Sequence, residues 1–320
     1  MKVIQQRQIP NERTRARKRK IERKGDGMVD GVKEERKGRA RVPADSAVRG
    51  RKGASPADWL NRVHIGDCLD VMRGMPSDSV DLIVTSPPYA DARRHTYGGI
   101  SPGEYVDWFT VRGTEMLRIL KPSGSLVLNI KEKAVDGQRH PYVLELILEL
   151  NRTTGFRWVE EYIWHKTTAA PGKWKYRFRD AWERILHFSK TADMKMRQDA
   201  VKEPVGDWTH KRLKNMSEND MTRQNSSTNP KYGRRMAAWE GRNLVYPTNV
   251  LHRAPIAHNT GHSAAFPEWL PDFFIRLFTD PGDVVLDPFS GSGTTFRVAA
   301  GLGRIPVGIE INAERIPPRM

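Results

Sequence analysis

The sequence predicts an α/β fold built on a mostly parallel β-sheet, and three observations lead to this prediction. Compact apolar runs such as VDLIVTS (80–86), SLVLNI (125–130) and DVVLDPF (283–289) have the length and composition of buried strands. Segments with helical spacing of apolar residues lie between such runs. Strands that alternate with helices need crossover connections, and these produce parallel sheets covered by helices on both faces.

The predicted elements begin near residue 62 and continue to residue 310. The amino-terminal group comprises a strand at about 62–66, a short helix in CLDVMRGM, the strand at 80–86, a helix from about Pro102 to Leu120, the strand at 125–130, a helix ending near Gly155, and two strands in FRWVEEYIWHK and ERILHFSK. The carboxyl-terminal group comprises a helix at about 267–278, the strand DVVLDPF, a helix from about 293 to 301 and the strand PVGIEI.

Composition divides the chain into four segments: a basic tail (1–55), one half of the α/β domain (56–190), an insert (191–261) and the other half (262–320). The formal charge is +16, and residues 1–53 hold 18 lysines and arginines against seven acidic residues. This tail has too few apolar residues to offset its ordering entropy, so we expect it to be disordered. It is either a phosphate-binding arm or a solvated tail.

The composition also excludes several classes of protein. No stretch approaches the roughly 18 apolar residues of a membrane span, and no secretory signal is apparent, so a cytoplasmic protein is expected. The single cysteine, Cys68, excludes an internal disulfide framework and zinc sites built on cysteine pairs. The histidines show no metal-ligand spacing, so no metal site is predicted.

The segment VVLDPFSGSGTT (284–295) has the pattern of a strand that enters a glycine-rich turn and then a helix. A Walker loop would need a lysine after Gly293, and a dinucleotide fingerprint would need a third glycine where Phe296 stands. A carboxylate at Asp287 would repel a pyrophosphate but suits a ligand with an ammonium and a sulfonium. These features favour S-adenosylmethionine, whose carboxylate can meet backbone donors at the turn.

The insert and the segment KWKYRFRD (173–180) before it interleave basic and aromatic residues. Arginine and asparagine side chains can read base edges, and lysines can hold phosphates. The alternative is a solvated basic loop. If the protein acts on DNA, this region is the candidate for target recognition.

Here the chain resembles the DNA amino-methyltransferases, which methylate the exocyclic nitrogen of cytosine (N4) or adenine (N6). TSPPY (85–89) contains a match to the catalytic tetrapeptide of that family, SPPY (86–89), and DPFSGSGTT (287–295) matches its cofactor loop. The catalytic motif precedes the cofactor motif, as in the circularly permuted beta group of restriction-modification systems and phages. The resemblance implies a Rossmann-like S-adenosylmethionine-dependent methyltransferase fold and extends over most of residues 60–315.

The resemblance implies roles for individual residues. The catalytic group is Ser86, Pro87, Pro88 and Tyr89, in which the serine hydroxyl and the Pro87 carbonyl accept hydrogen bonds from the amine and the tyrosine stacks on a flipped base. Trp164 and Lys166 are expected to border that base. The cofactor-binding group is Asp67, Phe266, Asp287, Pro288, Phe289, Gly291, Gly293, Thr294, Thr295 and Glu310. Each of four residues also has a purely structural alternative. Asp67 could be a helix N-cap, and Phe266 and Trp164 could be core residues. Glu310 could be a solvated residue at a strand end.

Serine at the first tetrapeptide position resembles the N4-cytosine enzymes, so the sequence predicts methyl transfer to N4 of cytosine in double-stranded DNA. N6-adenine is the alternative. A non-catalytic DNA-binding relic and an enzyme for RNA or protein amides are rivals from other classes. A cognate restriction endonuclease is compatible with the resemblance, and so are a monomer and a homodimer.

Overall fold

The computed structural model describes residues 59–91, 99–168, 175–206, 241–255 and 267–317, and positions 211, 214, 215 and 217. Predicted features in residues 1–55, the residue Phe266 and most of the insert lie outside this described part. Its strands are β1 Arg62–Ile65, β2 Val80–Thr85, β3 Leu120–Ile130, β4 Ala134–Val135, β5 Gln138–Arg139, β6 Arg157–Lys166, β7 Trp182–Ser189, β8 Glu203–Pro204, β9 Leu244–Val245, β10 Val250–Arg253, β11 Val284–Asp287 and β12 Ile305–Glu310. Its α-helices are α1 Cys68–Arg73, α2 Tyr105–Ile119, α3 Tyr142–Glu149, α4 Trp269–Phe278 and α5 Thr294–Gly301.

Eight of these strands form one sheet in the order β1-β12-β11-β2-β3-β7-β6-β10. The five strands from β1 to β3 are parallel neighbours, β7 is antiparallel to both β3 and β6, and β10 is parallel to β6. The predicted α/β class with a mostly parallel sheet is therefore confirmed. The permuted order is visible as well, because β11, near the carboxyl end of the chain, lies beside β2.

Helices cover both faces of the sheet, which explains why the central strands are continuously apolar. All six residues of β2 are buried, as expected for a strand with helices on each side. One core cluster joins the sheet to α1, α2 and α3, with Met72, Phe109 and Leu146 among its members. The second joins it to α4 and α5, with Phe274 and Ala299 among its members.

The helix ends follow local sequence signals. The Asp67 carboxylate caps α1 by accepting from the Leu69 N–H at 2.8 Å. Helix α3 continues into a π-helical turn, Leu150–Thr154, and stops at Gly155, which has a positive φ of 92°. None of the helices in the described ranges is long and apolar enough to cross a membrane.

Residues 250–253 fall inside the predicted insert, yet they form β10, the eighth strand of the central sheet. Residues 195–197 of the predicted insert also contact the sheet domain, since the Lys195 ammonium lies 3.5 Å from Asp280 and Arg197 pairs with Asp280 at 2.8 Å. The insert boundaries, 191–261, stay a prediction for the remaining residues.

Candidate active site at the carboxyl edge of the sheet

The predicted site residues follow strands that end at one edge of the sheet. Asp67 follows β1, Glu310 ends β12, Asp287 ends β11, and Ser86 follows β2. Because these strands are parallel neighbours, their carboxyl ends meet at the same edge. The fold therefore brings the tetrapeptide and the glycine turn together, although about 200 residues separate them in the sequence.

Asp287 links the glycine turn to β2. One carboxylate oxygen accepts from the Thr85 hydroxyl at 2.7 Å and the Phe289 N–H at 3.0 Å, and the other accepts from the Thr295 hydroxyl at 2.8 Å. The side chain is buried. Burial raises the pKa of Asp287 to about 6, although these three donors act in the opposite direction. Both oxygens thus already have donors within the chain.

The glycine turn itself leaves open space. Gly291 and Gly293 have positive φ values of 53° and 77°, which glycine adopts without strain. A Cβ placed on Gly291 would meet nothing within 4 Å. Helix α5 begins immediately after this turn, and the first turn of a helix has N–H groups without partners inside the helix. The turn can therefore accept a ligand against its backbone.

Glu310 faces the glycine turn and is not solvated. Its carboxylate accepts from the Gly291 N–H at 2.8 Å and from the Asn312 N–H at 3.0 Å. The side chain is buried, so the alternative of a merely solvated strand end does not hold. An acid at this position can accept hydrogen bonds from ribose hydroxyls.

Asp67 forms a second wall of the same edge. Besides capping α1, its two oxygens accept from the Arg112 guanidinium at 3.1 and 2.8 Å. Arg112 lies over the Trp108 ring at 4.3 Å, and that ring is 5.8 Å from the ring of Phe289. Arg112 and Trp108 thus connect the Asp67 carboxylate to the ring of Phe289.

These residues fit the predicted S-adenosylmethionine. An adenosine needs an apolar surface for its ring and acceptors for its hydroxyl and amino groups, and Phe289, Glu310 and Asp67 have those properties. The predicted cofactor residues next to the turn glycines are buried, namely Pro288, Thr294 and Thr295.

A hydrogen bond to its second proline holds the tetrapeptide backbone in place. The Tyr105 hydroxyl donates to the Pro88 carbonyl at 2.9 Å, whereas no described residue donates a hydrogen bond to the Pro87 carbonyl. The Ser86 hydroxyl lies 3.4 Å from the Tyr89 hydroxyl. The Ser86 hydroxyl and the Pro87 carbonyl are therefore two acceptors on consecutive residues at the end of β2.

The Tyr89 side chain is anchored by a polar network. Its hydroxyl donates to Glu183 at 2.9 Å and accepts from the Asn129 amide at 2.9 Å. The same amide donates to Glu183 at 3.1 Å, and the Lys166 ammonium donates to the other Glu183 oxygen at 2.5 Å. Side chains from β3, β6 and β7 thus meet the tetrapeptide at one point.

The electrostatics of this network keep Glu183 ionised and Tyr89 protonated. Burial would raise the pKa of Glu183, but the Lys166 ammonium and the donors of Asn129 and Tyr89 hold it below its usual value. Burial and the neighbouring Glu183 carboxylate raise the pKa of Tyr89 well above its usual value. The Tyr89 hydroxyl is therefore a donor to a fixed anion.

The structure places the two predicted base-bordering residues in packed positions. Trp164 is buried, packs edge-on against Trp269 at 5.5 Å, and donates to the Arg253 carbonyl at 3.1 Å. Lys166 lies 4.7 Å from the Trp164 ring centroid while it binds Glu183. Their contact with a flipped base stays a prediction, and both already have structural partners.

Sequence reasoning missed Glu183 and Asn129. Glu183 lies near the start of the strand in AWERILHF, where an acidic residue is usually exposed to solvent. Asn129 lies within an otherwise apolar strand. The available signal was the presence of polar side chains inside otherwise buried strands, since such groups need partners.

A nucleophilic role for the single cysteine is disfavoured at this edge. Burial raises the pKa of the Cys68 thiol to about 11, so it is a poor nucleophile. Within the described ranges, no three histidine, cysteine, aspartate or glutamate side chains converge as a metal site.

Comparison with known proteins decides the family. The family described as DNA methylase matches residues 80–317. The chain belongs to this family. It is 30% identical over 277 residues to the type II methyltransferase M.PvuII from Proteus hauseri, across 79% of this chain and 81% of that protein. It is 27% identical over 275 residues to the DNA adenine methyltransferase YhdJ from Escherichia coli strain K12, across 83% of this chain and 84% of that protein.

Two solved structures resemble the fold of this chain. The structure of the PvuII DNA methyltransferase, described as cytosine-N4-specific, has a TM-score of 0.60 at 28% identity, over 79% of this chain and 82% of that chain. The Thermus thermophilus protein TTHA0409, in complex with S-adenosyl-L-methionine, has a TM-score of 0.50 at 26% identity, over 79% of this chain and 89% of that chain. These likenesses confirm the predicted family and the predicted methyltransferase fold.

Proposed function

We propose that this DNA amino-methyltransferase transfers a methyl group to the exocyclic N4 of cytosine in double-stranded DNA. One observation carries the proposal: the Ser-Pro-Pro-Tyr tetrapeptide and the glycine turn are joined by the 2.7 Å hydrogen bond between Thr85 and Asp287. The proposed acceptor site for an amine would thus lie beside the proposed site for the methyl donor. This arrangement is what direct transfer without a covalent enzyme intermediate requires.

The methyl donor is S-adenosyl-L-methionine, as the sequence predicts. When bound, it supplies an electrophilic methyl group on a sulfonium. The glycine turn from Gly291 to Gly293 would hold it against the backbone, and Glu310 and Phe289 would contact its adenosine. Asp287 would act by fixing the turn, because its oxygens already bind Thr85, Thr295 and the Phe289 N–H.

Two acceptors on the tetrapeptide would prepare the amine. The lone pair of an exocyclic amine is delocalised into the base, so the nitrogen is a poor nucleophile. The Ser86 hydroxyl and the Pro87 carbonyl would bind its two hydrogens and favour a pyramidal nitrogen. Since Tyr105 occupies the Pro88 carbonyl but no described residue donates to the Pro87 carbonyl, the latter is available for this task.

Tyr89 would provide the stacking surface for a base turned out of the duplex. Its ring cannot swing freely, because Glu183 and Asn129 hold its hydroxyl. Restricting the ring in this way reduces the ordering cost of base binding. Glu183 would therefore act through Tyr89, as a positioning residue.

The serine at position 86 supports cytosine N4 as the acceptor, and so does the likeness to M.PvuII, whose solved structure is described as cytosine-N4-specific. Adenine N6 is the second candidate, favoured by the likeness to the DNA adenine methyltransferase YhdJ. A partner restriction endonuclease, and a monomer or homodimer, remain predictions.

The proposal is tested by offering labelled S-adenosylmethionine together with duplex DNA, RNA or cellular protein of mixed sequence. Label should enter duplex DNA alone and should be released by deoxyribonuclease. Label in N6-methyladenine would keep the mechanism and overturn the base assignment. Label in RNA or protein would overturn the proposed substrate.

A further inference from the structure

The described part of the connection between β6 and β7, residues 175–181, carries two exposed aromatic side chains. Phe178 is 97% exposed and Tyr176 is 79% exposed. β7 is antiparallel to both β3 and β6, so β6 runs in the same direction as β3 and as its parallel neighbour β2. The connection that follows β6 therefore leaves the sheet at the same edge as the tetrapeptide that follows β2. Among the described residues, Phe178 is the most exposed large apolar side chain, and with Tyr176 two positions away it offers apolar surface to a partner.

The base of this connection is fixed to the sheet. The Lys166 N–H donates to the Ala181 carbonyl at 2.7 Å, which closes the connection where it returns to β7. Asp180 binds Arg139 at 2.6 Å and lies 3.7 Å from both Lys131 and Arg177. Phe178 therefore stands two residues from an anchored carboxylate.

The charge around Phe178 matches a nucleic-acid duplex. Lys175 and Arg179 are exposed on either side of it, and the Lys175 ammonium lies 5.0 Å from the Tyr176 ring. The negative charge of Asp180 is already paired with Arg139. An apolar ring flanked by exposed cations suits a partner with phosphates outside and stacked bases inside.

Phe178 also lies within reach of the flipped base. It is five residues from Glu183, whose carboxylate binds the Tyr89 hydroxyl, and five residues of extended chain span at most about 17 Å. A base that leaves the duplex leaves a gap in the stack, and an apolar side chain that enters the gap offsets the lost stacking.

We infer that Phe178 is a wedge that enters the DNA duplex in the space left by the target base. The inference rests on the proposed function, because it assumes that this chain flips a base into the Tyr89 site. Lys175 and Arg179 would hold the phosphates on either side, and the anchored Asp180 would fix the position of the ring.

The test compares two duplexes that carry the recognition sequence, first mapped from the positions methylated in plasmid DNA. In one duplex the target base is paired. In the other duplex it faces an abasic site, so no base pair has to be broken before the base is flipped. Phe178→Ala should lower kcat/KM about tenfold or more on the paired duplex, and less than about threefold on the abasic duplex. Phe178→Trp should stay near wild type, and Tyr176→Ala is the matched control.

Because Phe178 is 97% exposed, its replacement should leave the thermal midpoint unchanged. A second readout is the fluorescence of a cytosine analogue that pairs with guanine at the target position, which should rise with the wild type and much less with Phe178→Ala. Equal losses on both duplexes, or no loss on either, would overturn the wedge. If the wild type methylated neither duplex, the proposed function would fail instead.

Discussion

The Tyr89 hydroxyl lies 2.9 Å from the Glu183 carboxylate, and this contact links the Ser-Pro-Pro-Tyr tetrapeptide to β7. The two residues are 94 positions apart in the sequence. Lys166 balances the charge of Glu183 on its other side. A buried carboxylate without such partners would destabilise the folded state. Glu183 therefore needs Tyr89 and Lys166 in these positions.

The first prediction concerns this contact. Glu183→Gln should lower kcat about tenfold, because it weakens the hold on the Tyr89 hydroxyl. In a Tyr89→Phe background the same change should cost much less, since the hydroxyl is already gone. The measurement is a double-mutant cycle on kcat, with Glu161→Gln in β6 as the control. Additive effects of the two changes would contradict a role through Tyr89.

The second prediction separates the ring of Tyr89 from its hydroxyl. Tyr89→Ala should reduce turnover about tenfold to a hundredfold, because it removes the stacking surface. Tyr89→Phe should retain more activity than Tyr89→Ala. Cofactor affinity, measured by calorimetry, should be largely kept in both variants, since Tyr89 follows β2 and is not on the glycine turn. Unchanged turnover in Tyr89→Ala would disprove the stacking role.

The third prediction concerns Asp287. Asp287→Ala removes the acceptor for Thr85, Thr295 and the Phe289 N–H, so the glycine turn should lose its fixed shape. The dissociation constant of S-adenosylmethionine should rise about tenfold or more. Asp287→Asn should restore part of the affinity, and Asp272→Ala, at an exposed ion pair on α4, is the control. Cofactor affinity unchanged in Asp287→Ala would show that the turn does not need this carboxylate.

The fourth prediction is an acid-sensitive stability due to His187. Burial lowers the pKa of this imidazole from 6.5 to about 3, and the ring packs 4.2 Å from Phe278. Between these two values the unfolded chain binds a proton that the native state does not. The free energy of unfolding should therefore fall as the pH drops from 6.5 toward 3, by about 2–4 kcal/mol from this group.

Asp287 acts in the opposite direction over part of that range. Its folded pKa of about 6 is above the ordinary 3.8, so its ionisation costs stability as the pH rises between these values. Urea titrations of wild type and His187→Gln from pH 4 to 7 should show a shallower pH dependence in the variant. Identical slopes would mean that His187 does not titrate on unfolding.

The fifth prediction concerns the basic segment. If residues 1–53 bind phosphates, their removal should flatten the salt dependence of DNA affinity, because fewer counterions are released on binding. The measurement is the slope of log affinity against log salt concentration for both proteins. An unchanged slope would make this segment passive in DNA binding.

Much of the fold could be predicted because its central strands are buried on both faces. β2 and β11 therefore appear in the sequence as continuous apolar runs, and their parallel order fixes which edge their carboxyl ends share. The placement of Ser86, Asp287 and Glu310 at one edge follows from that order alone.

The features that were missed depend on tertiary contacts. β10 is only Val250–Arg253 within a polar segment, and it is a strand because β6 provides a free edge for pairing. β3 begins at Leu120 and not near 125, since Leu120 pairs with Val80 despite Pro122. Glu183 is buried only because Lys166, Asn129 and Tyr89 converge on it.

The central claim is that this edge of the sheet methylates N4 of cytosine in DNA, and nucleoside analysis tests it most directly. DNA incubated with S-adenosylmethionine and either the wild type or Pro87→Ala would be digested to nucleosides and examined by mass spectrometry. N4-methylcytosine from the wild type, reduced strongly in the variant, is the predicted result. N6-methyladenine from the wild type, or equal N4-methylcytosine from both proteins, would contradict the claim.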